Sequence, residues 1–127
     1  MPDLQEELDG IPVHAGQHLR IAAVERGVQI DGVLGDESAR GKGYRQAHGG
    51  AIAALLDTAA TFALVAEASG SWGTVDLRVD FLRPVALGPV QVTGTVLRAG
   101  RTVGRARAEL LDSDGRLCAT AIGTFVP

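Results

Sequence analysis

Between residues 75 and 81 apolar and polar side chains alternate, Val75, Leu77, Val79 and Phe81 against Asp76, Arg78 and Asp80. That period of two predicts a half-buried strand, because successive side chains leave opposite faces, and Pro84 ends it. Residues 49–68 show no such alternation. They are rich in Ala and Leu, and their apolar residues occur around the full circumference, which predicts a long helix that other structure must wrap. Residues 19–25 and 28–34, separated by Arg26-Gly27, read as a hairpin. Further strands are predicted at 89–98, 101–112 and 116–126, with a tight turn at Ala99-Gly100 and another at Ser113-Asp114-Gly115. A short helix is expected over residues 2–9. Residues 35–46 carry Gly and charge without an apolar period, which marks a surface loop.

The predicted order is strand, strand, helix, then four strands. A meander of antiparallel strands after one very apolar helix suggests an α+β fold, a curved sheet of about six strands wrapped around that helix. Gly94, Gly104 and Gly123 fall in strand interiors, where glycine suggests bends or close backbone approach. Pairing of an edge strand with a second copy would satisfy the open sheet edge.

Bulk properties narrow the function classes. A chain of 127 residues fits one domain, 1–127, with residues 1–17 as an N-terminal extension. A formal charge of −3 argues against a nucleic-acid partner. The single cysteine, Cys118, permits no intrachain disulfide, and the three histidines show no zinc spacing, so no metal is expected and a reducing, cytoplasmic location is. Cys118 itself reads as an inert packed thiol. The N-terminus is acidic and short of apolar residues, unlike a signal peptide. The most apolar stretch, residues 51–66, is shorter than the roughly 20 residues of a membrane span and is interrupted by Asp57. It reads as a core helix, with no membrane partner.

Asp57 carries the chemistry. An ionised carboxylate in an apolar setting is costly unless it has a partner or a task. If the helix starts near Gly49, its first amides lack intrahelical acceptors and suit a carbonyl oxygen becoming an oxyanion. A carboxylate acting as nucleophile, or as base on water, would complete a thioester-hydrolysis site. Asp57 lies eight residues beyond Gly49. At about 1.5 Å per residue that is roughly 12 Å along the axis, too far for one helix to serve one carbonyl. The economical arrangement is two antiparallel helices from two subunits, with two equivalent sites.

His48-Gly49-Gly50, with Asp57 nine positions after the histidine, resembles the HGG-x6-D signature of hotdog-fold acyl-CoA thioesterases of the phenylacetate-pathway, PaaI-like, type. The similarity covers about residues 18–126. It includes the strand from Thr74 to Pro84 and the turn from Arg98 to Thr102. The resemblance implies a hotdog fold and acyl-CoA hydrolysis, with coenzyme A as part of the substrate and no separate cofactor. It implies that the Gly49 amide polarises the thioester carbonyl while Asp57 attacks it or activates water. Thr61, one turn beyond Asp57, would orient the carboxylate or water, and Thr74 would stand beside the site. His48 is expected to shape the loop more than to move protons, and Gly50 to border the substrate. Family dimers also pair into tetramers.

One departure stands out: Lys42 occupies a place where many relatives carry Asn or Gln, and Arg45 replaces a common Gly. Lys42 could pair with Asp57, reach toward CoA phosphates or point to solvent. In the basic cluster, Arg98, Arg101 and Thr102 are candidates to hold a CoA phosphate, whereas Arg105 and Arg107 read equally well as a solvated face. Tyr44 and Trp72 could line an acyl pocket, with a structural role the simpler reading. The rival to hydrolysis is a non-catalytic acyl-CoA or fatty-ligand binding module. A dehydratase ranks last, since it needs an acid/base His–Asp pair and His14 and His18 stand poorly placed for one.

Overall fold

The computed structural model describes residues 3–25 and 27–127. Pro2 of the expected N-terminal helix and Arg26 of the expected hairpin turn lie outside them. The elements are α1 (Leu4–Asp9), β1 (Arg20–Val24), β2 (Val28–Leu34), α2 (Gly49–Ala68), β3 (Gly73–Phe81), β4 (Gly88–Ala99), β5 (Gly104–Leu111) and β6 (Leu117–Val126). Single 3-10 turns occur at Pro12–His14 and Asp36–Ser38. Residues 35–46 are therefore more ordered than a plain surface loop. Bridges Ala39 to Ala47 and Gln46 to Ala86 fasten that segment to itself and to the chain beyond β3.

All six strands form one antiparallel sheet in the order β1-β2-β4-β5-β6-β3. The sheet is not the simple meander the sequence suggests. Of the four strands after α2, only β4, β5 and β6 follow one another in space; β3 crosses to the far edge beside β6, and β4 pairs with β2. Alternation within a strand reports which side chains face the core and carries no information about its neighbour. The turn after β4 also differs from expectation. It runs over residues 100–103, closed by the Gly100 N–H to the Val103 carbonyl at 3.0 Å, so β5 begins at Gly104 and not at Arg101.

The core lies between the sheet and α2. Leu55, Leu56, Ala59, Ala60 and Leu64 of the helix are fully buried, against Val92, Ala108, Leu110 and Phe125 of the sheet. Each large side chain so buried contributes on the order of 1.5–3 kcal/mol. Gly94 sets how closely the layers approach: a β-carbon built there would run into the Ala59 carbonyl oxygen. Gly104 under Leu64 and Trp72, and Gly123 under Phe125, show the same close packing. At 20 residues α2 is long and apolar enough, by length and composition, to cross a bilayer, longer than the 16-residue run suggests. Its packing makes it the core helix.

The two sheet edges are finished differently. At β1, the Gln5 side chain accepts from the Ile21 N–H at 2.7 Å and donates to the Leu19 carbonyl at 3.1 Å, standing in for a neighbouring strand. Leu4 and Leu8 hold α1 there as part of the core. At β3 no described segment covers the outer edge, and Val75, Phe81 and Leu82 are 62%, 55% and 56% exposed. Such an edge is a template for pairing.

Candidate active site

The N-terminus of α2 is built by His48. Its backbone is extended, and its Nδ1 accepts from the Gly50 N–H at 2.8 Å, so the neutral ring carries its proton on Nε2. Its N–H donates to the Ser38 carbonyl at 2.7 Å, and its own carbonyl accepts from Ala51 and Ile52. One first-turn amide is left over: among the described residues the Gly49 N–H has no acceptor. It lies at a cleft of about 330 Å³ formed with Ile52, Phe81, Leu82 and Pro84. Gly50, expected to border the substrate, is exposed and spends its N–H on His48.

Two turns further on, Asp57 is half-buried on the side of α2 that the sheet leaves partly open, with Ala54 and Thr61. The Thr74 hydroxyl, from the start of β3, donates to Asp57 Oδ1 at 2.6 Å. Oδ2 has no partner among the described residues, and none of the ion pairs there involves Asp57. A carboxylate anchored through one oxygen retains the other for a reacting group. Thr61 departs from one half of the expectation, the orienting of the carboxylate. It does lie one turn from Asp57, but its hydroxyl donates to the Asp57 backbone carbonyl at 2.8 Å, the habitual bond of a mid-helix threonine, and does not orient the carboxylate.

The remaining candidates are spread along the fold. Lys42 is exposed between Gly41 and Gly43, lining a cleft of about 560 Å³ with Asp36, Tyr44 and Arg45, and makes no ion pair with Asp57 within the chain. Arg45 reaches Asp36 at 3.8 Å, and Arg40 stacks on the Tyr44 ring at 4.6 Å. Arg98, Arg101 and Thr102 are exposed near the β4–β5 turn, which leads into Gly104 beside Leu64, at the C-terminal end of α2 and away from Gly49. Arg105 is exposed and donates to Thr124. Trp72 donates to the Ser69 carbonyl at 2.8 Å and packs over Gly104, a structural role. Cys118 is fully buried, and burial raises its thiol above the ordinary range, as suits an inert group.

His14 is a residue to which sequence reasoning gave no place in the site. It packs against α2, almost fully buried, with Nε2 at 2.7 Å from the Thr58 hydroxyl and Nδ1 at 2.7 Å from Gln17 Oε1. Burial lowers its pKa below the ordinary imidazole value, opposed by the Gln17 hydrogen bond and by the Asp57 charge. The Thr58 contact joins positions 44 residues apart, so no local pattern announced it. His18, by contrast, is exposed, in a left-handed conformation with φ of 51°.

Similarity to known proteins extends over the fold that carries this geometry. A family model described as Thioesterase superfamily matches residues 46–119. The medium/long-chain acyl-CoA thioesterase YigI of Salmonella typhimurium is 36% identical over 94 residues, covering 62% of this chain and 61% of that protein. The chain thus spans about three fifths of the length of the curated relatives it matches. A phenylacetic acid degradation-related protein from Ralstonia eutropha superimposes with a TM-score of 0.81 at 29% identity, covering 98% of both chains. The PaaI protein of the E. coli phenylacetic acid degradation operon shares the fold, with a TM-score of 0.82 at 20% identity over 95% of this chain and 87% of that one.

Proposed function

From the premise that this chain belongs to the Thioesterase superfamily, we propose that it is a cytoplasmic acyl-CoA thioesterase whose site is completed by a second copy of the chain. The thioester carbonyl oxygen accepts from the Gly49 N–H of one subunit. Asp57 of the other subunit attacks the carbonyl carbon, or takes a proton from the water that does. Collapse of the tetrahedral intermediate breaks the carbon–sulfur bond, and the CoA thiolate leaves, to be protonated by solvent; attack by water gives the acid at once, whereas direct attack leaves an anhydride on Asp57, which water then hydrolyses to free the acid and restore the carboxylate. The free acid and CoA are the products. No cofactor enters.

The observation that carries this reading is the state of two groups on α2: an amide with no acceptor at its N-terminus, and a carboxylate held by Thr74 with its second oxygen open. Eight residues apart, they are about 12 Å distant along one helix, so one carbonyl must draw them from two chains. The bare β3 edge, with its exposed apolar side chains, supplies the surface on which two chains would join, β3 beside β3. Pairing of such dimers into tetramers, and the hold of Lys42, Arg98, Arg101 and Thr102 on CoA phosphates, belong to the same proposal.

CoA release, followed with a thiol reagent over a panel of aliphatic and aryl acyl-CoAs, tests it. Wild type should turn over at least one class, and Asp57→Ala should abolish that turnover. Binding without turnover in wild type would instead identify a ligand-binding module, and full activity in Asp57→Ala would sink the mechanism.

A further inference from the structure

A buried run of hydrogen bonds connects the neighbour of Asp57 to the loop that presents the Gly49 amide, and its polarity can be assigned throughout. Gln17 Nε2 donates to Ser38 Oγ at 3.1 Å, which turns Gln17 Oε1 toward His14. Oε1 can only accept, so His14 Nδ1 carries the proton. The neutral ring then offers a lone pair on Nε2, and the Thr58 hydroxyl donates to it at 2.7 Å. At the other end the Ser38 carbonyl accepts from the His48 N–H at 2.7 Å, and His48 in turn accepts from Gly50. His14, Gln17 and Ser38 are 6%, 2% and 4% exposed, and no buried side-chain polar atom among the described residues lacks a partner. A buried network satisfied at every member fixes the relative position of the elements it joins.

We infer that His14 is a positioning residue for the proposed thioester hydrolysis, a neutral strut that fixes the Thr58 turn of α2, and with it Asp57, relative to the Ser38–His48 loop that presents the Gly49 amide. The inference rests on the hydrolase reading. It assigns no contact between His14 and substrate; the residue acts through Thr58 and Gln17. A doubly protonated ring would present a proton to Thr58 Oγ and force the hydroxyl to turn away, toward a helix carbonyl. The charged or titratable groups around the ring are Asp57 on α2, Asp9 at the end of α1 and His18, which line the adjoining cleft from the N-terminal side, and Glu37, which lies over Gly16.

The test compares His14→Leu, His14→Gln and Thr58→Val with wild type in CoA release, resolving kcat from KM on one acyl-CoA, with melting temperature alongside. A Gln at 14 can still donate toward Gln17 and accept from Thr58, so it should recover most of the rate. The Leu variant and Thr58→Val should lose about tenfold in kcat, the scale of one hydrogen bond, with KM little changed. A core variant with similar loss of melting temperature, Val92→Ala, should keep its kcat. Should His14→Leu fail to fold, Thr58→Val against His14→Gln carries the same comparison. Wild-type kcat in the folded Leu variant or in Thr58→Val, or an equal loss in Val92→Ala, would overturn the positioning role while leaving the hydrolase standing. A wild type inactive on every acyl-CoA would overturn the hydrolase reading, and this role with it.

Discussion

Replacing Gly49 by proline deletes the proposed oxyanion donor and little else. Gly49 is the first residue of α2, and its N–H has no acceptor among the described residues, so proline removes no existing hydrogen bond. His48 before it has ψ of 137°, the extended conformation that a residue preceding proline prefers. A β-carbon at 49 meets nothing nearer than Phe81 Cζ at 3.4 Å, an ordinary contact. The melting temperature of Gly49→Pro should therefore stay near that of wild type. Its catalytic rate should fall by about 10²–10³, the equivalent of roughly 2.7–4 kcal/mol for one lost oxyanion donor. Gly49→Ala is the control, since it adds the same first carbon and keeps the N–H. CoA release for the three proteins, each first shown to be folded and of the same oligomeric size, gives the answer. Turnover by folded Gly49→Pro within about threefold of Gly49→Ala would refute the role of the amide.

Thr74→Val removes the 2.6 Å hydrogen bond to Asp57. Because Thr74 is exposed in the single chain, the lower end of the range for a charge-assisted bond applies, and kcat/KM should drop about tenfold, with Thr74→Ser close to wild type. Stability should depend on pH through His14. Its folded pKa lies below the 6.5 of the free side chain, so the unfolded chain binds more protons between the two values, and stability rises with pH there. The contribution is complete above about pH 6.5 and is lost as pH falls through the lower, folded value. Urea midpoints at pH 7 and in mild acid should show the fall, and His14→Gln should flatten it. An equal fall in that variant would assign the effect elsewhere.

The helix was legible because its signals are local: an Ala- and Leu-rich run and a His-Gly-Gly start, and the structure places it at Gly49–Ala68. Strand existence was legible for the same reason. The position of β3 at the sheet edge was not, since its partner β6 lies some forty residues away and alternation is blind to partners. At the site, spacing put Thr61 on the face of Asp57 correctly but could not tell that its hydroxyl would be taken by the helix backbone. Thr74, at the start of β3, donates to Asp57 across 17 positions, a contact that spacing along the chain does not report. His14, Gln17 and Ser38 were missed because neither the N-terminal segment nor the 35–46 loop has a period, and their polar side chains meet their partners only after the chain has folded.

A site made of two chains can be tested by mixing two dead ones. Gly49→Pro and Asp57→Asn subunits, denatured together and refolded as a mixture, should form mixed dimers in which one of the two sites draws both its amide and its carboxylate from unaltered positions. With random pairing, up to about a quarter of wild-type CoA release should return, although neither parent shows more than about a hundredth of it. If mixed dimers form, as tagged subunits would report, and remain as inactive as their parents, the amide and the carboxylate do not meet across two chains, and the account is wrong at its centre.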